Sequence, residues 1–369
     1  MKVFKFGGSS VKDATAMKAV SKIIIDNDDC RIVVISATKN TTNELELIAK
    51  ESIHSIPKSQ ELWDKTISRH REIANDLQID CEFQDLDSEV LELIGKFNKC
   101  QMISSEYMDQ LYSIGERLST RILSEYLTSH HSKTVLYKDV REVLITNDNW
   151  SKASPLITEI QDAFDLKWKE ILKNSLIVTQ GFVGVTTEGR TTTLGREGSD
   201  FTATILGESL GANEVIIWTD VTGVATSDPR VVENTKFIKK LNYVEASVLA
   251  KLGAKVLFER TLEPAIRKGF SVIVKSTLTP SELGSVISDS PPHNGPMAVT
   301  TQGDILSIVG DKLLSEKAHC SKRLLEMNQI DYHVHEQEDH FICFKIPSSQ
   351  MDKALDVVHC WVLEFHQNE

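Results

Sequence analysis

Strand-like apolar runs alternate with helical stretches up to about Asp289, and this alternation restricts the fold more than any other feature of the chain. The runs are continuous, and helical stretches such as Ala14–Ile25 and Thr202–Leu210 separate most of them. Continuous apolar strands with helical crossovers are typical of an open, mostly parallel α/β sheet that is covered by helices on both faces. The predicted strands are Val3–Phe6, Ile32–Ala37, Thr134–Tyr137, Leu176–Val185, Val215–Trp218 and Val272–Val274.

The stretch between about Pro57 and Leu127 interrupts the strand pattern. Segments such as ELWDKTISRHREIANDLQ and DQLYSIGERLSTRILSEYL carry their apolar residues at helical spacing. We therefore expect a helical lobe at about residues 57–127, inserted in an α/β domain that spans residues 1–290.

A second, smaller domain is expected after the segment SDSPPHNGPM, residues 288–297, because Pro, Gly, Ser and Asn at this density are typical of a linker. The residues beyond it predict a strand in DILSIVG, a helix in SEKAHCSKRLLEMN, paired strands in IDYHVHE and HFICFKI, and a last helix in SQMDKALDVVHCWVLE. This order predicts an α+β, ferredoxin-like domain over residues 297–369, as an incomplete βαββαβ unit.

Composition and charge argue against several classes of protein. The formal net charge of -12 argues against a nucleic-acid partner and against an anionic membrane surface. No apolar run reaches about 18 residues, so no transmembrane helix is expected, and the N-terminus predicts a strand rather than a signal peptide. The six cysteines lack CxxC spacing, which indicates free thiols and a cytoplasmic protein. His333 and His335 lack a third ligand, so no metal site is predicted there.

The N-terminal motif KFGGSS combines features that attract an anion. Lys5 stands in an apolar strand, where its charge needs a partner. Gly7 and Gly8 allow close approach of the backbone, and Ser9 is expected to cap a helix whose first amides attract negative charge. The motif is not a Walker A loop, and a tight turn with Lys5 extended to solvent would explain it equally well. A nucleotide phosphate is the anion that we expect.

The segment TTTLGREGSDFTATILG, residues 191–207, is a polar loop that leads into a helix. Arg196 can hold a carboxylate through two hydrogen bonds. Asp200 can pair with an ammonium group, and Ser199 stands beside it. A simple capping pair with a surface arginine is the alternative, although one cap does not need three threonines and two glycines around Arg196.

Three further stretches supply candidate binding residues. In VIIWTDVTGVATSDPR a strand ends at Thr219 and Asp220, the position where open α/β sheets bind ligands. Glu116 follows a glycine within an otherwise apolar helix, although a solvent-facing glutamate is the usual case. Ser36 and Thr42 follow the second strand, where their hydroxyl groups suit either a small ligand or a helix cap.

Taken together, these motifs resemble those of the aspartokinases, members of the amino-acid kinase family. The resemblance covers roughly residues 1–290, and the motifs fall in the family's order and spacing. They are KFGGSS, VISATKNTTN, SIGE, TTTLGREGSD, WTDVTGVATSDPR, GAKVL and VKSTLTPSELGSVIS.

The resemblance implies an enzyme that transfers the γ-phosphoryl group of Mg²⁺-ATP to the β-carboxylate of L-aspartate. The resemblance also implies a first step in the synthesis of lysine, threonine or methionine, or of a specialised metabolite. The implied phosphate contacts are Lys5, Gly7, Gly8 and Ser9. The implied nucleotide contacts are Thr219, Asp220, Arg230, Lys255 and Val256. The implied aspartate contacts are Ser36, Thr42, Glu116, Arg196 and Ser199, while Asp200 would orient Lys5 or the substrate amine.

The sequence also departs from the family pattern. Ile114 stands where the family often has His, Ala225 where it often has Tyr, and Phe258 and Glu259 follow GAKVL where it commonly has His and Pro.

Aspartokinases usually end in two ACT modules, whereas the tail here has room for one ACT-like domain. No glycine-rich effector loop stands between Gly310 and Lys322, so we expect weak or absent inhibition by lysine or threonine. Family analogy suggests that the ACT-like domain forms a homodimer.

Two other functions compete with this interpretation. The first is another amino-acid kinase, acting on glutamate, N-acetylglutamate or carbamate. Glu116 and Arg196 favour a free α-amino acid over the latter two substrates. The second is an inactive kinase fold that binds amino acids as a sensor, against which the presence of Lys5, Arg196 and Asp200 argues.

Overall fold

The computed structural model describes residues 1–254, 259–314 and 316–366. The chain divides into two compact units, Met1–Asp220 and Val221–Glu369. None of the described helices combines the length and the apolarity that are needed to cross a bilayer.

The first unit is built on five parallel strands in the order β3-β5-β2-β1-β8. Two of them, β1 and β2, are buried along most of their length, as continuous apolar sequences predict. The strands of this sheet are β1 (Lys2–Phe6), β2 (Cys30–Ile35), β3 (Thr134–Tyr137), β5 (Ser175–Gln180) and β8 (Glu214–Thr219). A small second sheet contains β4 (Ile145–Thr146), β6 (Val183–Thr186) and β7 (Thr191–Thr193).

Seven α-helices accompany these strands in the described part of the first unit. Four of them, α2 to α5, follow one another without a strand and form the predicted helical lobe, which begins earlier than expected, at Thr41. The helices are α1 (Ala14–Ile25), α2 (Thr41–His54), α3 (Ile56–Asp76), α4 (Gln84–Cys100), α5 (Ser105–His130), α6 (Ile157–Lys167) and α7 (Gly198–Leu210).

The prediction of one strand over Leu176–Val185 is wrong. The chain turns at Gly181 and Phe182, and Phe182 adopts a φ of 69°, so that β5 ends in the main sheet and β6 enters the small one. A continuous apolar run does not reveal this turn because both strands are buried. The turn brings Gly181 against Ser199: a Cβ at Gly181 would lie 2.4 Å from the Ser199 Cβ.

The second unit contains three strands in the order β10-β11-β9 and a separate four-stranded antiparallel sheet. The three strands are β9 (Lys240–Asn242), β10 (Ser271–Ser276) and β11 (Ser285–Ser288). The four are β12 (Pro296–Gln302), β13 (Ile305–Gly310), β14 (His333–Glu338) and β15 (Phe341–Lys345). Its helices are α8 (Tyr243–Lys251), α9 (Glu259–Lys268), α10 (Glu316–Met327) and α11 (Met351–Phe365).

The C-terminal sheet follows the order ββαββα rather than the predicted βαββαβ. Strand β12 begins at Pro296, inside the segment predicted as a linker, and occupies an edge of the sheet in the order β12-β13-β15-β14. Proline is tolerated at the first residue of an edge strand because no partner needs its missing N–H. The sheet packs an apolar core that includes Leu306, Ile308 and Phe344.

Candidate active site

A cavity of about 740 Å³ opens at the carboxyl ends of β1 and β2. This is the end of an open parallel sheet where ligands are expected. Four segments of the first unit supply most of its wall: β1 with the turn after it, the loop after β2 with the start of α2, helix α5, and the loop that leads into α7. Among the lining residues are Lys5, Gly8, Ser9, Ser36, Thr42, Glu116, Arg196, Ser199 and Asp200.

Lys5 and Asp200 form an ion pair within this cavity. The Nζ atom of Lys5 lies 2.5 Å from Oδ1 of Asp200, and the two side chains are 12% and 8% exposed. Asp200 lies in the first turn of α7, where the helix N-terminus favours a negative charge. The pair explains how a lysine is stable in an apolar strand, and it places a cation at the cavity wall.

The turn after β1 lies against the loop after β2. A Cβ on Gly8 would lie 2.6 Å from the carbonyl oxygen of Ala37, so this position accepts only glycine without a shift of the backbone. The carbonyl of Gly8 accepts a hydrogen bond from the Lys39 N–H at 3.1 Å. The expectation that Ser9 caps a helix is wrong: residues Gly8–Val11 form a 3-10 turn, and Asp13 caps α1.

Glu116 is buried at the cavity wall and is only 5% exposed. Burial raises the pKa of its carboxyl group to about 8, although a hydrogen bond from the Ala37 N–H opposes this rise. That bond is long, 3.4 Å, and no described cation forms an ion pair with the carboxyl group. The site therefore holds a carboxyl group that an incoming cation would stabilise as the anion. The structure rejects the usual expectation of a solvent-facing glutamate.

Gly115 allows helix α5 to approach the loop after β2. A Cβ at Gly115 would lie 3.0 Å from the Ala37 Cβ and 3.1 Å from the Thr41 Cγ2. Ser119, one turn further along α5, donates a hydrogen bond of 2.8 Å to the carbonyl of Ser36. The small side chains of this face of α5 thus bring Glu116 to the cavity.

The loop before α7 carries Arg196 and Glu197. The Arg196 side chain is 75% exposed, and its Nε lies 3.9 Å from Oε1 of Glu197. Glu197 adopts a φ of 53° at the N-cap position, and no side chain caps α7, so the predicted Ser/Asp cap is absent. Burial is the larger cause of a raised pKa at Glu197, and the negative charge of nearby Asp200 raises this pKa further. Its Oε2 atom is buried without a hydrogen-bond partner in the described chain.

Asp109, on α5, anchors the adjacent loops from beneath the cavity. Its Oδ2 atom accepts hydrogen bonds of 2.8 Å from the N–H groups of Ser151 and Thr193, and its Oδ1 atom accepts one of 2.8 Å from the Thr193 hydroxyl. Burial raises the pKa of Asp109, while the hydrogen bonds from Ser151 and Thr193 oppose the rise. Both partners line the cavity.

The structure does not gather all of the predicted residues in this cavity. The cavity is not lined by Gly7, Thr219 or Asp220. The Gly7 N–H instead donates a hydrogen bond of 3.3 Å to the Trp218 carbonyl, and Thr219 is the last residue of β8. Arg230 belongs to the second unit, where its Nη2 lies 2.6 Å from Oδ2 of Asp228. Lys255 and Val256 lie outside the described residues.

Several lining residues were not singled out from the sequence. Thr38, Lys39 and Asn40 belong to the motif VISATKNTTN, so that motif was the available signal. Tyr112 and Phe182 had no such signal. They meet edge to face with ring centroids 6.0 Å apart, and Tyr112 donates a 2.8 Å hydrogen bond to Glu46. The helix α5 periodicity alone does not show that Tyr112 faces a cavity.

Comparison with known proteins agrees with this fold. Residues 1–276 match the model of the amino acid kinase family. The lysine-sensitive aspartokinase 3 of Escherichia coli is 35% identical over 325 residues, which cover 87% of this chain and 72% of that protein. The chain belongs to the aspartokinases. The aspartokinase of Chlamydia trachomatis is 32% identical over 330 residues, 88% of this chain and 70% of that protein.

A solved aspartokinase has the same fold. The crystal structure of aspartokinase III from Escherichia coli, in complex with aspartate and ADP, superposes with a TM-score of 0.85 and 27% identity. The match covers 98% of this chain and 100% of that one. The family, the mostly parallel α/β fold with a C-terminal ACT-like sheet, and the enzyme class predicted from the sequence are confirmed.

Proposed function

We propose that this protein transfers the γ-phosphoryl group of ATP to the β-carboxylate of L-aspartate, giving ADP and 4-phospho-L-aspartate. The observation that carries the proposal is the cavity itself, which combines the Lys5–Asp200 pair with the buried carboxyl group of Glu116. A cation for phosphate oxygens and an acid for an ammonium group suit a nucleotide and a free amino acid. The relative of known structure binds aspartate and ADP.

The reaction needs positioning and charge compensation more than acid–base chemistry. The β-carboxylate is ionised at neutral pH, so its oxygen can attack the γ-phosphorus without a general base. A new bond forms between that oxygen and phosphorus, while the bond to the β,γ-bridging oxygen breaks and its electron pair leaves with ADP. Lys5 would offset the charge on the transferring group, and Asp200 would keep the Lys5 amine directed at it.

Residues on the other side of the cavity would hold the amino acid. We assign the α-ammonium to Glu116, whose buried carboxyl group gains a counter-ion when the substrate binds. Arg196 is exposed and can turn its guanidinium to a substrate carboxylate. Ser36, Thr42 and Ser199 would complete this pocket, as all three line the cavity.

The nucleotide and its metal are assigned more coarsely. Gly7, Gly8 and Ser9 would contact the phosphates, and Thr219, Asp220, Arg230, Lys255 and Val256 would hold the rest of the nucleotide. Mg²⁺ would enter with ATP and screen the negative charge of its phosphates. The cavity suits such a cation because Glu197 carries a buried oxygen without a hydrogen-bond partner among the described residues.

The remaining assignments concern the whole molecule. We propose a cytoplasmic homodimer with a catalytic domain over residues 1–290 and one ACT-like domain over residues 297–369. Pairing of the ACT-like sheets is the family precedent for the dimer. Light scattering coupled to size-exclusion chromatography would measure the mass, and a monomeric mass at assay concentration would contradict the dimer.

Trapping with hydroxylamine tests the reaction. An acyl phosphate reacts with hydroxylamine to give a coloured hydroxamate, so wild-type protein with ATP, Mg²⁺ and aspartate should produce one. Formation of hydroxamate with glutamate but not with aspartate would favour another amino-acid kinase. Absence of product with every acceptor would favour an amino-acid sensor and would overturn the proposal.

A further inference from the structure

The β2–α2 loop, residues 36–40, forms a wall of the cavity without the support of regular structure. All five of its residues line the cavity. The loop ends at Asn40, which adopts a φ of 71° at the N-cap of α2 and makes no capping hydrogen bond through its side chain. Backbone in this region persists where surrounding contacts fix it. Contacts from outside the loop must therefore hold its shape.

Helix α3 adds side-chain contacts through Arg69 to the hydrogen bonds that Gly8 and Ser119 make with this loop. The Nη1 atom of Arg69 donates a hydrogen bond of 2.9 Å to the hydroxyl of Thr38, and its Nη2 donates one of 2.9 Å to the hydroxyl of Thr41. The same Nη2 lies 2.6 Å from Oε2 of Glu44 in the first turn of α2. One guanidinium thus connects the loop to the helix that follows it, and its planar geometry fixes their spacing.

His70, the next residue on α3, completes the network from the buried side. Its Nδ1 lies 2.8 Å from the Thr66 carbonyl, and its Nε2 lies 3.0 Å from the Thr38 hydroxyl. The Thr38 and Thr41 hydroxyl groups are 2.6 Å apart. Burial lowers the pKa of His70 to about 4, so the ring is neutral at pH 7.

These contacts permit one arrangement of protons. The Thr66 carbonyl can only accept, so Nδ1 of His70 carries the proton and Nε2 of the neutral ring must accept from Thr38. Since the Thr38 hydroxyl already donates its hydrogen bond to Nε2 of His70, it must accept a hydrogen bond from the Thr41 hydroxyl. Arg69 donates to both hydroxyl groups, which is consistent with each oxygen having at least one free lone pair. Every hydroxyl in the network therefore has a fixed direction.

We propose that Arg69 and His70 are positioning residues that set the β2–α2 loop for the amino-acid substrate. The inference rests on the proposed function, because it concerns the pocket assigned to aspartate. The Ala37 N–H of the loop donates a hydrogen bond to Glu116, the loop carries Ser36, and Thr42 lies in the first turn of the helix that follows. Neither Arg69 nor His70 lines the cavity, so both act through Thr38 and Thr41 rather than on the substrate.

Steady-state kinetics of matched variants tests the proposal. Arg69→Met and Thr38→Val each remove hydrogen bonds of the network, and we expect each to raise KM for aspartate about tenfold or more, a loss in the range of charged hydrogen bonds. The KM for ATP should change by less than about twofold, since this network lies on the amino-acid side. Thr38→Ser keeps the hydroxyl group and should recover most of the affinity that Thr38→Val loses.

A variant of the same helix controls for loss of fold. Arg71→Met breaks an ion pair of 2.6 Å with Asp87, away from the loop, and should leave both KM values near those of wild type. Thermal unfolding is measured for all variants. If Arg69→Met does not fold, comparison of Thr38→Val with Thr38→Ser carries the test, because valine keeps the shape of threonine and serine keeps its hydroxyl group.

The outcomes separate this inference from the proposed function. Unchanged KM for aspartate in folded Arg69→Met and Thr38→Val, or equal rises in both KM values, would overturn the positioning role. Nitrogen-15 NMR of wild type should show His70 neutral and protonated at Nδ1 at pH 7, and a doubly protonated ring would contradict the network. A wild-type protein that forms no hydroxamate with aspartate would instead overturn the proposed function.

Discussion

The amine of Lys5 and the carboxylate of Asp200 lie 2.5 Å apart although 195 residues separate them in the sequence. Each side chain is almost fully buried, so each charge depends on the other. Removing one partner of such a pair leaves an uncompensated charge, which costs about 3–5 kcal/mol in other proteins. The pair therefore contributes both to the stability of the first unit and to the charge of the cavity.

Separate variants can divide these two contributions. We expect Lys5→Met to lower turnover by several orders of magnitude and to lower the melting temperature, because Asp200 loses its partner. The double variant Lys5→Met/Asp200→Asn should regain most of the stability without regaining activity. Near-normal turnover in folded Lys5→Met would contradict the assignment of Lys5 to the phosphates.

Aspartate binding should release a proton at Glu116. Burial raises the pKa of this carboxyl group to about 8, so at pH 7 most of the free protein holds it protonated. The substrate ammonium favours the carboxylate and lowers that pKa, so affinity for aspartate should rise as pH increases from 6 towards 8. Calorimetry in buffers with different ionisation enthalpies, with ADP present, measures the proton released.

Glu116→Gln should abolish that proton release and weaken aspartate binding. Glu125→Gln, an exposed position on the same helix, is the control and should retain both properties. Equal affinity for aspartate at pH 6 and pH 8 in the wild type would contradict the role of Glu116.

Two glycines in the helical lobe should respond in opposite ways to alanine. At Gly115 a Cβ would press on Ala37 and Thr41, so Gly115→Ala should displace the β2–α2 loop and raise KM for aspartate. At Gly95, inside α4, a Cβ meets nothing within 4 Å, so Gly95→Ala should raise stability by about 0.5–1 kcal/mol. Chemical denaturation and steady-state kinetics of both variants measure stability and KM for aspartate. An unchanged KM in Gly115→Ala would show that the β2–α2 loop accommodates the added methyl group.

The C-terminal domain should confer little inhibition by end products. The residues between Gly310 and Lys322 contain no glycine, unlike the glycine-rich effector loop of the family. We therefore expect lysine and threonine, each added to the hydroxamate assay at micromolar concentration, to leave activity unchanged. Strong inhibition by either amino acid at that concentration would refute this expectation, and the lysine-sensitive relative from Escherichia coli is the positive control.

Short motifs made much of the site predictable. KFGGSS, TTTLGREGSD and SIGE each combine a glycine that permits close approach with a charged side chain near it. Seven of the residues chosen from these three motifs line one cavity, together with Ser36 and Thr42 from VISATKNTTN. The residues assigned to the nucleotide do not all line this cavity, since Thr219, Asp220 and Arg230 are not among its lining residues. Their assignment stays a prediction.

Other parts of the molecule had no local signal. Strand β12 was not predicted because Pro296 and the preceding polar segment are typical of a linker. Only the pairing with β13 makes this segment an edge strand. Arg69 and His70 stand in a helix whose spacing indicates no more than a buried face. Their contacts with Thr38 and Thr41 depend on how α3 packs beside the β2–α2 loop.

The sequence by itself determined the general alternation of strands and helices, the family and the charged groups of the cavity, because periodicity, glycine turns and motif spacing are local properties of the chain. Only the tertiary structure decided which charges are buried and which are paired. The raised pKa of Glu116, the Lys5–Asp200 pair and the directed hydroxyl groups of Thr38 and Thr41 depend on desolvation and on contacts between distant segments. Those quantities arise only when the chain has folded.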